Sequence, residues 1–205
     1  MAKLKIAKGK LVRKFGENIF GNPKYDKLLN RKAYPPGQHG QSRRSKLSNY
    51  GVQLQEKQKI KFTYGLLEKQ FHSNFEKAEK MVGETGINML QLLEKRLDNV
   101  VYKLGFAPSR PSSRQLITHK HFLVNNKVVN IPSYKVKPGD IIQVREKSKK
   151  LDIIIESLRR IKGDIDLSWL EINKAKMRGV FLSVPERDEM KLTFNEQLVV
   201  ELYSK

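Results

Sequence analysis

Arg110 and Arg114 stand four residues apart, and Lys120, His121, Asn125 and Lys127 follow them closely. On a helix, that spacing puts both guanidinium groups on one face. Guanidinium is a planar fork of donors that fits phosphate oxygens two at a time, and an ammonium is a point charge. Ser109 and Ser113 add hydroxyl groups to the same stretch. The chemistry these residues suit is recognition of a nucleic-acid backbone, not bond making or breaking. The chain has no Cys, which excludes disulfides, thiol nucleophiles and thiolate metal ligands. Its glycines lack the Gly-Lys-Ser/Thr context of a phosphate loop, and no Ser-His-acid set is suggested by position. His119 and His121 are two apart, diverge at a helix end and have no carboxylate to complete a ligand set. No catalytic residue, metal, cofactor or small-molecule substrate is expected.

The charge supports the same chemistry. Among 205 residues, 41 Lys and Arg stand against 21 Asp and Glu, a net charge of +20. Such an excess repels itself in a compact monomer and is relieved beside a polyanion whose counterions it displaces. The excess is local. Residues 1–46 carry a net +11, 47–94 are neutral, 95–150 carry +10, and 151–205 carry −1. A merely lysine-rich surface would spread the charge evenly, whereas blocks argue for local polyanion contacts. A membrane is the weaker polyanion, because no apolar run approaches the ~18 residues of a spanning helix. Met1 to Phe15 is basic with no apolar block behind it, so no secretory signal is expected. A reducing cytoplasm is the default for a chain without Cys.

The elements that must position these groups can be read from periodicity. Residues 1–46 are punctuated by Gly and Pro and lack sustained periodicity, which predicts an extended basic arm that orders on RNA. Its Lys3, Lys5, Lys10, Arg13 and Lys14 are candidates for RNA contact. Ser48 can cap a helix through Lys61. Leu67, Phe71, Phe75, Ala78 and Val82 form an apolar stripe that ends near Gly83. A third helical segment opens at Thr85 or Gly86 and runs to Leu104, with Gly105 at its end. Ser109 caps a short helix over 109–119, where Pro111 is tolerable in the first turn. The period then changes to strands: Phe122 to Val124, a turn at Asn125-Asn126, a return from Val128, a type II turn at Pro138-Gly139, and Ile141 to Arg145. Residues 151–162 are amphipathic, with Ile154, Leu158 and Ile161 inside. The tail behind Asn195, a cap candidate, fits a helix or a strand.

Tyr50, Gln53, Lys57 and Lys61 recur at helical spacing. They read either as one RNA-facing polar stripe or, for Tyr50 and Gln53, as a protein interface.

Several spaced motifs resemble one family. RLDNVVYKLGF at 96–106, SR at 109–110, RQL at 114–116, HKHFLVNNKVVNIPS at 119–133 and KPGDIIQV at 137–144 resemble the RNA-binding fold shared by ribosomal protein S-four and several RNA-modifying enzymes. PPGQHG at 35–40, LSNYGVQLQEKQKI at 47–60, YGLLEKQF at 64–71 and the closing NEQLVVELYSK resemble that ribosomal protein family itself.

The resemblance implies an α+β fold. An all-helical domain, 47–94 completed by about 190–205, carries an inserted RNA-binding domain, 95–160, of two short helices packed on a small antiparallel sheet. Residues 161–189 complete the sheet domain and return the chain, and 1–46 is the extended arm. The implied role is early binding to the small-subunit (16S) ribosomal RNA, which nucleates assembly of the subunit body. The implied partners are the neighbouring small-subunit protein S-five, at an interface linked to decoding accuracy, and messenger RNA where it enters the subunit. The resemblance also places Arg43, Arg44 and Lys46 near that messenger RNA. Glu196 and Tyr203 in the closing segment join Tyr50 and Gln53 as protein-interface candidates. The chain departs from the family in three places. The four Cys that many relatives use for zinc are absent, Asn126 replaces the usual hairpin Gly, and Pro111 and Ser113 stand where other residues are commoner. Two readings from other classes are an accessory fragment of an RNA-modifying enzyme and a nonspecific DNA-compacting protein.

Overall fold

The computed structural model describes residues 6–42, 46–160 and 167–204. The chain forms two compact units: residues 1–73 with 194–205, and residues 74–193.

The first unit is helical. Helix α1 (Lys8–Phe15) ends at Gly16 in the left-handed conformation, and α2 (Pro23–Arg31) starts behind Asn22, whose side chain accepts from the Lys24 N–H. Pro23 sits at the helix start, where its fixed φ helps and its missing N–H costs nothing. The expected extended arm is corrected here. Gly16 and Pro23, among the residues that suggested broken structure, are the end signals of two short helices. Leu11, Phe15 and Ile19 bury themselves with Phe20 and Phe62. Arg13 donates from Nε to the Tyr34 carbonyl (3.0 Å) and from Nη2 to that of Pro35 (2.9 Å), with its guanidinium over the Tyr34 ring.

Helix α3 (Asn49–Tyr64) is capped by Ser48, which accepts from the Gly51 N–H at 3.2 Å. It closes at Gly65 in the left-handed region. Helix α9 (Glu196–Tyr203) packs on α3 and is capped by Asn195, so the tail is a helix and its β-branched pair is overruled by packing. The division between units falls inside α4 (Glu68–Glu79). Phe71, Phe75 and Ala78 of the expected stripe are buried, but Val82 is fully exposed at 101% because the helix stops three residues before it.

The second unit holds the sheet. The third helical segment is two helices, α5 (Thr85–Glu94) and α6 (Leu97–Lys103), not one. The break is at Arg96, whose backbone is extended and bridges to Lys135. The Leu97 and Asp98 N–H groups donate to the Tyr134 and Pro132 carbonyls, so the 131–136 segment supplies acceptors that a continuous helix would have furnished. Helix α5 is tied into this unit by Gln91 on the Pro185 carbonyl and by Lys135 on that of Leu92. The compact unit therefore begins before the composition shift at residue 95.

Among the described residues, five antiparallel strands follow in the order β2-β1-β3-β5-β4. They are β1 (Phe122–Val124), β2 (Lys127–Val128), β3 (Ile141–Val144), β4 (Leu170–Asn173) and β5 (Arg178–Phe181). Phe122 pairs with Val144, Val124 with Ile142, and Ile142 with Gly179. The buried members of these strands join residues of α6, of α7 (Arg110–Thr118) and of α8 (Asp152–Arg160) in one core. Phe106 meets Phe122, and Trp169 meets Phe181 edge-on. Gly179 is required by this packing. A Cβ there would come within 2.6 Å of the Leu104 side chain of α6.

Candidate nucleic-acid interface

Helix α7 and the strands after it carry the sequence-expected cluster. Ser109 caps α7, accepting from the Ser112 N–H at 3.4 Å. Leu116 and Ile117 turn one side of the helix into the core. At the other end Lys120 has φ +65°. Its N–H bonds the Ile117 carbonyl and that of His121 bonds Leu116, a left-handed closure that leaves Lys120 exposed. The β1–β2 hairpin turns on Asn125 and Asn126, both at positive φ (49° and 64°), the two-residue geometry that favours Asn and Gly. The Asn125 amide donates to Asp140 Oδ1 (2.7 Å) and accepts from the Ile141 N–H (2.9 Å). Its side chain is thus committed to the turn, while Lys127 is exposed beside it.

The two arginines are held from α6. Arg110 Nε donates to Asn99 Oδ1 at 2.8 Å, and its guanidinium lies over the Tyr102 ring at 4.7 Å. Arg114 donates from Nε and Nη2 to Asp98 Oδ2 at 3.2 and 2.8 Å. Asp98 is 3% exposed and also takes a two-point bond from Arg96, at 3.0 and 2.7 Å. Asn99 donates to Glu94 Oε2 at 2.6 Å. Ser113 is fully buried, and its hydroxyl donates to the Asp98 carbonyl at 2.6 Å. Ser113 is corrected from RNA contact to a fastener between α6 and α7, because no part of it reaches the surface.

His121 accepts or donates through Nδ1 to Ser148 Oγ at 2.8 Å. Burial, then His119 and Arg145, push its imidazole below the usual histidine range. Lys103 is lowered by burial, with Arg110 and Lys191 adding to the effect and Glu94 opposing it.

Helix α3 corrects further expectations. Lys57 and Lys61 are buried, and both are bound to Glu68, at 2.6 Å to Oε1 and 2.7 Å to Oε2. Lys59 pairs with Glu17 and Glu56. These ammonium groups serve the interior of the helical unit, not RNA. Gln53 is also buried and donates to Glu201 Oε2 at 2.9 Å, so it joins α3 to α9 and is not an outward interface residue. The Tyr203 hydroxyl donates to Glu68 Oε1 at 3.0 Å, and its ring packs against His72 and Phe71. Glu196 is half-buried in the first turn of α9. Tyr50 is 58% exposed, next to exposed Leu47. Arg13 belongs to the loop it holds, whereas Lys10, Lys14 and Lys46 are exposed. Lys3, Lys5, Arg43 and Arg44 lie outside the described residues.

Asp98 and Asn99 were not among the residues the sequence singled out by chemistry. A signal existed. Segment 95–150 has only three acids, Asp98, Asp140 and Glu146, and each has an internal partner in Arg96 and Arg114, Asn125, or Lys149. A rare acid in a basic block is worth suspecting as a fixed structural acceptor.

Known proteins match the whole chain. Residues 3–94 match the family described as the ribosomal protein S4/S9 N-terminal domain, and residues 95–142 match the S4 domain. Proteins named small ribosomal subunit protein uS4 are 52% identical in Chlorobaculum tepidum, 53% in Parabacteroides distasonis and 54% in Bacteroides thetaiotaomicron. Each alignment runs over 205 residues and covers 100% of both chains.

Proposed function

The chain belongs to the small ribosomal subunit protein uS4 family, and from that premise we propose that it is a structural, non-enzymatic component of the small ribosomal subunit that binds ribosomal RNA. The observation that carries the RNA-facing part is the state of segment 95–150. Asp98 and Asp140 are buried and hydrogen-bonded within the fold and Glu146 pairs with Lys149 at the surface, while Lys120, Lys127, Lys137, Lys147 and Lys150 are exposed. A rigid surface with a positive surplus suits structured RNA, which is read mostly by shape, phosphates and 2′-hydroxyls. On this reading α7, its left-handed end and the β1–β2 hairpin meet the small-subunit ribosomal RNA early and help nucleate the subunit body in the cytoplasm. Exposed Lys10, Lys14 and Lys46 add contacts from the first unit, the last of them with messenger RNA where it enters. Exposed Tyr50 and Leu47 suit a protein neighbour such as S-five, where a contribution to decoding accuracy would lie.

The test is retention on small subunits in ~0.5 M salt, where each neutralised phosphate contributes a log–log slope of roughly −0.7 to −0.9. The chain is expected to stay bound while random duplex DNA loses it. Release from the subunit at that salt, or equal affinity for the duplex, would overturn the reading.

A further inference from the structure

We propose that Asp98 and Asn99 are positioning residues that fix the guanidinium groups of Arg114 and Arg110 for RNA; this rests on the reading of α7 as an RNA-facing helix. The two acceptors are adjacent residues in the first turn of α6, and each takes one arginine of α7. Tyr102, three residues after Asn99 on α6, supplies the face over which the Arg110 plane lies.

The acceptors are themselves fixed. Asn99 has its amide orientation set by donation to Glu94 Oε2 and to the Glu94 carbonyl, which leaves Oδ1 toward Arg110. Asp98 has its carboxylate plane set by the two bonds from Arg96. Ser113, between the two arginines in sequence, ties α7 to the Asp98 carbonyl. Two chains of hydrogen bonds result, Glu94 to Asn99 to Arg110, and Arg96 to Asp98 to Arg114.

Apolar packing also holds α7 in place. Leu116 and Ile117 already join α7 to the core that contains Leu97, Val100 and Val101 of α6. Buried ion pairs are seldom more stabilising than apolar residues of the same volume. What the network adds is direction. An arginine free in solution samples many rotamers, and a guanidinium already held in one plane loses less freedom when a phosphate binds. Asp98 is shared between Arg96 and Arg114, and Asn99 meets Arg110 with a neutral amide oxygen; a phosphate is the anion whose oxygens a guanidinium fork fits.

The experiment is a double-mutant cycle in the full chain, read as affinity for deproteinised small-subunit ribosomal RNA at fixed salt, with thermal unfolding in parallel. Asn99→Ala is expected to weaken binding roughly three- to tenfold by freeing the Arg110 side chain. Asn99→Ala with Arg110→Ala together should bind within about twofold of Arg110→Ala alone, since the steered group is gone. Losses that multiply, or an Asn99→Ala protein that binds like wild type, would overturn the positioning role. If Arg110→Ala and Arg114→Ala both bind like wild type, the reading of α7 as RNA-facing falls, and positioning with it. Arg110→Lys decides the matter if Asn99→Ala does not fold. Lysine keeps the charge but has no fork to orient, so it should lose most of what Arg110→Ala loses. Full retention by lysine would mean that charge alone suffices and would overturn the proposal.

Discussion

Helix α3 carries Lys57, Lys59 and Lys61, and helix α7 carries Arg110 and Arg114. Both look in sequence like basic faces at helical spacing, and the acids they meet differ. The α3 lysines are buried against Glu68, Glu17 and Glu56, two of which come from other helices or loops of the same unit. Their charge is matched. The α7 arginines meet one carboxylate and one neutral amide, and Asp98 is shared with Arg96. Their guanidinium groups are oriented by these acceptors. Spacing reports which residues share a face. Whether that face is used inside the fold or outside depends on acids far away in the chain, which spacing does not report.

The largest effect that separates the two regions is on stability. Asp98→Ala leaves two guanidinium groups without their buried partner and should cost about 3–5 kcal/mol, measured by denaturant unfolding. No single alanine at Lys57 or Lys61 should approach that, because Glu68 keeps the other lysine and is itself nearly half exposed.

A pH titration sharpens the contrast from the other side. Partial burial alone would raise the Glu68 carboxyl, but hydrogen bonds from Lys57, Lys61 and Tyr203 outweigh it and bring it down to about 2. Its folded pKa lies below the ordinary 4.5, so its stabilisation is present above pH 4.5 and is lost as pH falls from there toward about 2. Glu68→Gln should flatten unfolding stability across that window. An unchanged pH dependence would remove Glu68 as the clasp of α3, α4 and α9.

The smallest expected effect is in the hairpin. Asn126→Gly keeps the left-handed turn, trading the Asn126 bond from Gln143 for freedom at positive φ. Unfolding stability should change by less than about 1 kcal/mol. Asn125→Gly loses both amide bonds to the Asp140-Ile141 segment and should cost more.

Much of the fold could be read in advance where local chemistry decides it. Ser48, Ser109 and Asn195 cap the helices they were expected to cap, and the Asn125-Asn126 and Pro138-Gly139 turns join strands as their residue types require. The misses share a cause. The break at Arg96 is made by carbonyls from 131–136, and α1 is stabilised by burial against Phe62. Strand β5 is short and acquires its identity by pairing with β3, which lies more than thirty residues earlier. Each depends on a partner distant in sequence. The candidate interface divides in the same way. The placement of Arg110 and Arg114 on one helix and of Lys120 at its end was legible from type and spacing, whereas the burial of Ser113, Lys57 and Lys61 was not.

The most direct measurement compares two double variants in one titration against small-subunit ribosomal RNA. Arg110→Ala with Arg114→Ala should weaken binding at least about tenfold and make the log–log salt slope shallower by roughly 1.4 to 1.8, as two lost phosphate contacts require. Lys57→Ala with Lys61→Ala should leave both affinity and slope within about twofold and one-half unit of wild type, because a group matched inside the fold releases no counterion on binding. Equal losses from the two pairs, or a larger loss from the lysines, would contradict the account.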